Sequence, residues 1–272
     1  MRVCTLGDLL LDVVIRLDRP LVAGDDAPAR TNAGAGGQAA NVAAWAAELG
    51  AEARFVGKRA DDAAGSLAAS ELADLGVELA GPVVQGRTGI VVSLVTPDAE
   101  RSLASDRGVA PELVADELDP AWFSDCDVLH VSGYSLLREP IAGAAGRAVE
   151  LARRAGARIS VDASTWSAIR EFGPLLFRER LAVLAPDVVF ASERELQELG
   201  GRALAPVVVV KRGAEGCSVI EGEAVENHPA LAAVAADSTG AGDAFAAGFL
   251  VGGVRTALEA AARCVGKLGA LP

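Results

Sequence analysis

The chain has 272 residues, a formal net charge of −12 at pH 7 and a hydrophobic fraction of 51%. That length and that hydrophobic fraction are sufficient for one large packed core, which excludes a disordered protein. The negative net charge argues against a nucleic acid or an anionic membrane as a partner, because both carry negative charge themselves.

The cysteines and the N-terminal residues indicate a cytoplasmic protein. The four cysteines are widely scattered and only two histidines are present, so neither a disulfide framework nor a zinc site is expected. Asp8 comes too early for a signal peptide, and no uninterrupted apolar run approaches the ~18 residues needed to span a bilayer. His130 stands in an apolar run and is expected to be a hydrogen-bonded core residue.

The first predicted elements are a buried strand over 3–6 and an apolar run over 9–17 that contains Asp12. An acid inside an apolar run needs a partner. Asp12 is either a satisfied loop carboxylate or an acceptor for two adjacent hydroxyl groups of a sugar.

Alternating strands and helices follow along the chain. Strands are predicted over 52–57, 88–96, 127–132, 158–161, 187–190 and 207–210, and helices over 63–75, 111–118, 140–155 and 193–199. Continuous apolar strands that alternate with helices indicate a mostly parallel sheet covered on both faces. We therefore expect a single α/β domain over residues 1–272.

Two segments, at about 13–31 and 83–105, are strand-like without a helix between their strands. They are expected to pair into a small β sheet that projects from the main body. On this side of the molecule, Arg101 and Arg107 are candidates to meet an anionic group of a substrate. A solvated surface charge is the simpler expectation for each of them.

A glycine-rich segment, Gly34 to Ala39, fits the dinucleotide-binding pattern Gly-x-Gly-x-x-Gly/Ala. That fingerprint must follow a buried strand directly, whereas the residues before it, 25–30, are mostly polar. A nicotinamide-dependent oxidoreductase is therefore kept only as a third possibility.

A second glycine motif, Asp237-Ser238-Thr239-Gly240-Ala241-Gly242-Asp243, precedes an apolar helical run. The first N–H groups of such a helix lack intrahelical partners and suit a phosphate. The carboxylate of Asp243 beside them could take the proton of an attacking hydroxyl group. In the simpler interpretation, Asp237 caps the helix and Asp243 is a first-turn acid favoured by the helix dipole.

A Walker-type phosphate loop is absent, because none of Lys58, Lys211 and Lys267 has the required glycine spacing and following Ser or Thr. Phosphate binding is therefore expected to rely on backbone N–H groups in the second glycine motif.

The segment Gly36-Gly37-Gln38-Ala39-Ala40-Asn41-Val42-Ala43 and the string Asp237 to Phe245 resemble the two signatures of the ribokinase-like (PfkB) carbohydrate kinases. The resemblance covers nearly the whole chain. It implies a ribokinase-like three-layer α/β/α sandwich with a mostly parallel central sheet. It also implies that segments 13–31 and 83–105 form a β lid over the sugar, where exclusion of water protects the reaction.

The resemblance also implies roles for individual residues. Asp243 is the catalytic base. Gly240, Ala241 and Gly242 form the anion hole, with the amide of Asp243 as part of the same turn, and Asp12, Gly36, Gly37 and Asn41 bind the sugar. The predicted nucleotide-binding residues are Asp162, Ser192, Glu195, Lys211, Gly213 and Gly216.

Ser192 stands where the family commonly has Asn, in an Asn-x-x-Glu motif. No direct metal ligand is predicted, and Glu195 is expected to reach magnesium through a water molecule. The same pair, Ser192 and Glu195, also has the spacing of a helix capping box. Both interpretations can hold together.

The predicted function is ATP-dependent phosphorylation of the hydroxymethyl group of a sugar or sugar-like small molecule, with Mg²⁺ as cofactor. A monovalent cation is left open as a further cofactor, as is a homodimer formed through the lid. The alternatives are an adenosine-type nucleoside kinase of the same family and a non-catalytic sugar- or nucleotide-binding protein.

Overall fold

The structure is a computed structural model that describes residues 1–98, 101–234 and 236–272. For Arg101 only the backbone is described, so the predicted contact of its side chain with a substrate lies outside the described residues.

In the described part of the chain there are fifteen β strands and seven α helices. The strands are β1 Arg2–Leu6, β2 Leu10–Leu17, β3 Ala29–Gly36, β4 Glu52–Val56, β5 Arg59–Ala60, β6 Val77–Ala80, β7 Val83–Val84, β8 Thr88–Val95, β9 Arg101–Gly108, β10 Val128–Ser132, β11 Arg158–Asp162, β12 Val188–Ser192, β13 Val207–Lys211, β14 Cys217–Glu221 and β15 Ala224–His228. The helices are α1 Gln38–Glu48, α2 Ala63–Asp74, α3 Ile141–Arg154, α4 Trp166–Phe172, α5 Pro174–Leu184, α6 Glu193–Glu198 and α7 Ala241–Val265.

The central sheet has the strand order β15-β14-β13-β12-β11-β10-β1-β4-β6. Its pairings are parallel except at one edge, where β14 pairs antiparallel with β13 and with β15. The inner strands are continuous apolar runs; every residue of β10, for example, is buried. A strand of this kind needs cover on both faces, as predicted.

Helices provide that cover in two layers. Side chains of α3 and α5, such as Ile141 and Phe177, join one core cluster with Leu129 of β10. Side chains of α1 and α7, such as Trp45 and Phe245, join the other core cluster on the opposite face. The predicted α/β sandwich is confirmed.

The lid is a separate four-stranded sheet with the order β3-β2-β8-β9. Its strands extend beyond the predicted segments: β3 runs to Gly36, at the first glycine motif, and β9 runs to Gly108. The predicted segment 83–105 also begins too early, because Val83 and Val84 pair with β5 in a two-stranded sheet of their own.

Other local predictions differ from the structure. The helix expected over 111–118 is two short 3-10 turns, Ala110–Glu112 and Ala115–Glu117, because the backbone between them is extended, with ψ of 125° at Leu113 and 157° at Val114. Helices α4 and α5 were not predicted. His130 is in the core as expected, with Nδ1 2.9 Å from Ser160 Oγ, and burial lowers its pKa to about 4.

Helix α7 is long and apolar enough to cross a membrane by length and composition alone, a test that the core helix of a water-soluble protein also passes. It is interrupted at Gly253, which has a φ of 76°. After this kink the chain packs back on the first half of the helix, where a Cβ on Gly248 would lie 2.6 Å from Ala257 Cα.

Candidate active site

The site lies where the carboxyl ends of the central strands meet the first turns of α1 and α7. Ligands collect at this edge in open α/β sheets. Both helices have glycine N-caps, Gly37 and Gly240, and neither N-cap has a side-chain hydrogen bond. The first N–H groups of both helices therefore point toward the same region without a side-chain cap.

Gly240 is required by the turn before α7. Its φ is +75°, and an added Cβ would lie 2.5 Å from the Cβ of Ala270. The Asp237 carboxylate accepts hydrogen bonds from the N–H of Thr239 at 2.9 Å and of Gly269 at 3.1 Å. Asp237 thus fastens the turn to the C-terminal segment, and the simpler interpretation, in which it caps α7, does not hold because the N-cap is Gly240.

In the turn that begins at Gly240, the amides of Ala241, Gly242 and Asp243 are not equivalent. The N–H of Ala241 lies 3.3 Å from the carbonyl oxygen of Ser238, and the N–H of Asp243 donates to Gly240 at 3.0 Å. The N–H of Gly242 lies between them in the first turn of α7, where the helix itself offers no acceptor. Gly242 is therefore the best placed of the three to receive an anion.

Asp243 has the properties of a general base. Its Oδ2 accepts a hydrogen bond from Nδ2 of Asn41 at 2.8 Å, which joins the two glycine motifs across 202 positions. Burial raises the pKa of Asp243 to about 7, against the lowering effect of the Asn41 hydrogen bond and of Lys211. A carboxyl group with that pKa can hold and release a proton near neutral pH.

The predicted sugar-binding residues lie together on the lid side. A Cβ on Gly36 would lie 2.1 Å from the Asp12 carboxyl carbon, so Gly36 leaves room for that carboxylate. Gly37 has a φ of +99°, and a Cβ there would lie 2.4 Å from the Asp8 carbonyl oxygen. Asn41 is buried, and its Oδ1 has no hydrogen-bond partner among the described residues. Asn41 Oδ1 is therefore available to a hydroxyl group.

A cleft of about 580 Å³ opens beside Gly242. Its volume lies in the ordinary range for small-molecule sites. Its lining combines apolar side chains, such as Phe245 and Leu258 of α7, with Gly242, Lys211 and Gly213. The cleft suits a ligand with a flat apolar part and an anionic part.

The predicted nucleotide-binding residues divide into two groups. Lys211, Gly213 and Gly216 line this cleft. Among the described residues, Asp162, Ser192 and Glu195 are not part of its wall. Asp162 Oδ2 accepts a hydrogen bond from Lys211 Nζ at 2.5 Å, at the carboxyl ends of β11 and β13.

Ser192 and Glu195 form the capping box of α6. Ser192 Oγ accepts from the Glu195 N–H at 3.3 Å, and the Glu195 carboxylate accepts from the Ser192 N–H at 2.7 Å. Burial raises the pKa of Glu195, although Lys211 opposes it. The capping interpretation is confirmed, and it accounts for Ser in place of Asn, because both are good N-cap residues.

An ion pair between the lid and the body was not predicted. Arg107 of β9 donates from Nε and Nη2 to the two carboxylate oxygens of Asp8, at 2.5 and 3.0 Å. Both side chains are largely buried, at 18% and 7% exposure. The Arg107 guanidinium also lies 5.9 Å from the ring centre of Tyr134. The solvated charge expected for Arg107 was wrong.

Gln38 was also missed as a site residue. Its Oε1 accepts hydrogen bonds from Ser132 Oγ at 2.5 Å and Ser164 Oγ at 2.6 Å, and so joins α1 to β10 and to the turn after β11. Ser164 has a φ of 75°, which is unusual outside glycine. The only sequence signal was the position of Gln38 inside the first glycine motif.

A partly buried carboxylate in the first turn of a helix, beside a cleft lined by the same turn, can support transfer of a phosphoryl group to an alcohol, which is the chemistry of small-molecule kinases. The family model for pfkB family carbohydrate kinases matches residues 1–271. The chain belongs to this family and is a carbohydrate kinase.

Individual relatives cover most of the chain. It is 34% identical to the ATP-dependent ribose-1-phosphate kinase of Halopiger xanaduensis, over 97% of this chain and 90% of that protein. It is 33% identical to fructokinase-1 of Zea mays, over 91% of this chain and 81% of that protein.

Solved structures show the same fold. Adenosine kinase from Sinorhizobium meliloti superposes with a TM-score of 0.88 at 24% identity, over 99% of this chain and 95% of that one. A putative ribokinase II from E. coli, in complex with ATP and Mg²⁺, superposes with a TM-score of 0.82 at 23% identity, over 99% and 94%.

Proposed function

We propose that the protein transfers the γ-phosphoryl group of ATP to a primary alcohol of a sugar or sugar-like small molecule. The observation that carries the proposal is the position of Asp243. Its carboxylate accepts a hydrogen bond from Asn41, one of the predicted sugar-binding residues. Asp243 is also the residue next to Gly242, which lines the cleft. A base at that boundary can serve an alcohol on one side while phosphate lies on the other.

Each residue of the site has its own role in the proposed reaction. Asp243 takes the proton of the alcohol, and its pKa of about 7 leaves a substantial fraction ionised at neutral pH. The N–H groups at the start of α7 stabilise the charge of the transferred group. Asp12 and Asn41 orient the sugar through its hydroxyl groups.

Magnesium would screen the charge of the nucleotide. Among the described residues, no group of three or more His, Cys, Asp and Glu side chains is arranged to hold a metal ion. Asp162 is paired with Lys211, and Glu195 bonds to Ser192. A magnesium ion bound together with the nucleotide would therefore depend mainly on ligands other than protein carboxylates, and Glu195 would be the residue to orient its bound water. Assays in sodium, potassium and tetramethylammonium salts test a monovalent-cation requirement.

The lid side favours an acceptor that offers hydroxyl groups. Asp8 already neutralises Arg107, and Asp12 adds a second carboxylate. An anionic acceptor such as ribose 1-phosphate would have to displace Asp8 from Arg107.

The lid also exposes Ile90 and Leu103, at 38% and 55%, and we propose that pairing of two lids in a homodimer covers them. Size-exclusion chromatography with light scattering measures this.

The test is a coupled ADP-release assay over pentoses, hexoses, keto-sugar acids, ribose 1-phosphate and nucleosides. We expect a neutral sugar such as fructose to give the highest kcat/KM, with the phosphate on a primary oxygen by ³¹P NMR. A preference for nucleosides would support the alternative within the same family. ATP-dependent phosphorylation of none of these compounds would contradict the proposal.

A further inference from the structure

The turn at residues 240–243 before α7, which we call the anion turn, offers neutral N–H groups. Phosphoryl transfer, however, leaves a full additional negative charge on the departing ADP. We propose that Lys211 is a catalytic residue of this site, whose ammonium group contacts the phosphates of ATP and stabilises the charge that develops on them. Lys211 would thus supply the cation that a Walker loop obtains from its own lysine. The inference rests on the proposed function.

The geometry places the ammonium group at the anion turn. Lys211 is the last residue of β13, and its side chain passes alongside the first turn of α7. Nζ lies 3.2 Å, and Cδ 3.7 Å, from the position that a Cβ on Gly242 would occupy. Lys211 and Gly242 both line the 580 Å³ cleft. A phosphate bound at the Gly242 N–H therefore lies within reach of Nζ.

A more deeply buried carboxylate holds the ammonium group of Lys211 in place. Its partner Asp162 is 1% exposed, whereas the Lys211 side chain is 18% exposed. Among the described residues, Asp162 is the one side chain that accepts a hydrogen bond from Nζ. An ammonium group has three N–H bonds, so two remain for the cleft side. Asp162 thereby orients Lys211 without consuming its capacity to bind phosphate.

The ammonium group of Lys211 also stays charged. Burial lowers the pKa of Lys211, but the carboxylates of Asp162 and Glu195 outweigh burial, and the pKa is raised overall. Asp243 faces the same group from α7 and acts in the same direction. Conversely, the charge of Lys211 lowers the pKa of Asp243, which Asp12 and Asp162 raise. Lys211 is therefore electrostatically coupled to the proposed base.

The proposed step transfers the γ-phosphoryl group from ATP to the alcohol oxygen. The alcohol oxygen forms a bond to the γ-phosphorus while the bond from that phosphorus to the β–γ bridging oxygen breaks. The alcohol proton passes to Asp243, and the electron pair of the broken bond stays on the bridging oxygen of ADP. Lys211 keeps its proton and donates hydrogen bonds to phosphate oxygens whose charge increases.

The central variant is Lys211→Met, which retains chain length and removes the charge. The matched control is Arg212→Gln at the next position, where the guanidinium pairs with Glu193 and Glu215 and does not line the cleft. We expect Lys211→Met to lower kcat about 10²-fold, in the range for loss of one oxyanion-stabilising donor. Arg212→Gln should leave kcat within about twofold.

Two further readouts separate this role from a structural one. Isothermal titration should show weaker binding of ATP and ADP to Lys211→Met, with binding of adenosine unchanged. The acid limb of kcat/KM against pH should move to higher pH, because the positive charge beside Asp243 is lost. Lys211→Arg, which retains the charge, should keep that limb in place.

If Lys211→Met does not fold, the double variant Lys211→Met/Asp162→Asn removes both charges of the buried ion pair, so that Asp162 is not left without its partner. The same loss of kcat is expected. Wild-type kcat in either folded variant, or equal losses of affinity for ADP and adenosine, would overturn the inference. Because wild-type turnover is measured in the same series, the proposed function can stand while the role of Lys211 fails.

Discussion

The two ends of the site are built differently. At the phosphate end, Asp162, Lys211 and Asp243 project from buried strands and from the core helix α7, and Gly240 has no room for a side chain. At the sugar end, Asp12 lies on the lid, where much of β3 and β9 is exposed. The phosphate end is thus built from packed elements of the body, and the sugar end includes a more exposed sheet. Changes at the two ends should separate effects on kcat from effects on KM.

The largest effect is expected at the phosphate end, for Asp243→Asn. Loss of the general base should lower kcat by about 10³-fold, within the range for general base catalysis. Asn can still accept the hydrogen bond from Asn41, so the fold and sugar binding should persist. Steady-state kinetics and calorimetry of sugar binding measure the two properties. Turnover within tenfold of wild type would remove Asp243 from the mechanism.

A large effect on KM is expected at the sugar end, for Gly36→Ala. The new Cβ would overlap the Asp12 carboxyl group, which must then move. We expect the KM for the sugar to rise at least about tenfold, since a displaced polar group loses a hydrogen bond worth about 1.5 kcal/mol or more. The KM for ATP should change little.

Gly50→Ala, after the other end of α1, is the control for Gly36→Ala. Gly50 has a φ of +87° and open space around it, so alanine adds strain without a collision. Thermal unfolding should report a loss of about 1 kcal/mol, with kinetic constants unchanged. An unaltered sugar KM in Gly36→Ala would show that Asp12 does not bind the acceptor.

A smaller effect is expected when the lid is detached from the body by Arg107→Gln. This variant leaves Asp8 without its partner, and we expect a rise of about fivefold in sugar KM with kcat nearly unchanged. A double-mutant cycle with Asp8→Asn should give a coupling of about 1–3 kcal/mol in stability. Arg87→Gln, which breaks an exposed ion pair with Asp106 on the same lid, should leave the sugar KM, kcat and the stability unchanged.

The smallest effect is expected for Ser192→Ala, which removes the N-cap of α6. The free energy of unfolding should fall by about 1 kcal/mol, and Ser192→Asn should retain it. Chemical denaturation measures both. A drop in kcat for Ser192→Ala larger than this stability change explains would indicate that Ser192 also contacts the nucleotide.

The predictions from sequence succeeded where the evidence was local. Continuous apolar runs such as Val207 to Val210 indicate buried parallel strands, and the glycine motifs pointed to Asn41 and Asp243, which the structure brings into contact. The ion pair of Asp8 and Arg107 joins residues 99 positions apart, one in the loop between β1 and β2 and the other on β9. No spacing rule connects them, because their contact depends on how the lid folds over the body.

The central claim is that Asp243 accepts the proton of the sugar hydroxyl. The most direct measurement is kcat/KM for the sugar against pH at saturating ATP, since its acid limb reports the pKa of the base before the sugar binds. Activity should fall as pH decreases, with half of the maximum near pH 7, because protonated Asp243 cannot act as a base. A limb near pH 4, the ordinary value for an aspartic acid, would contradict the claim.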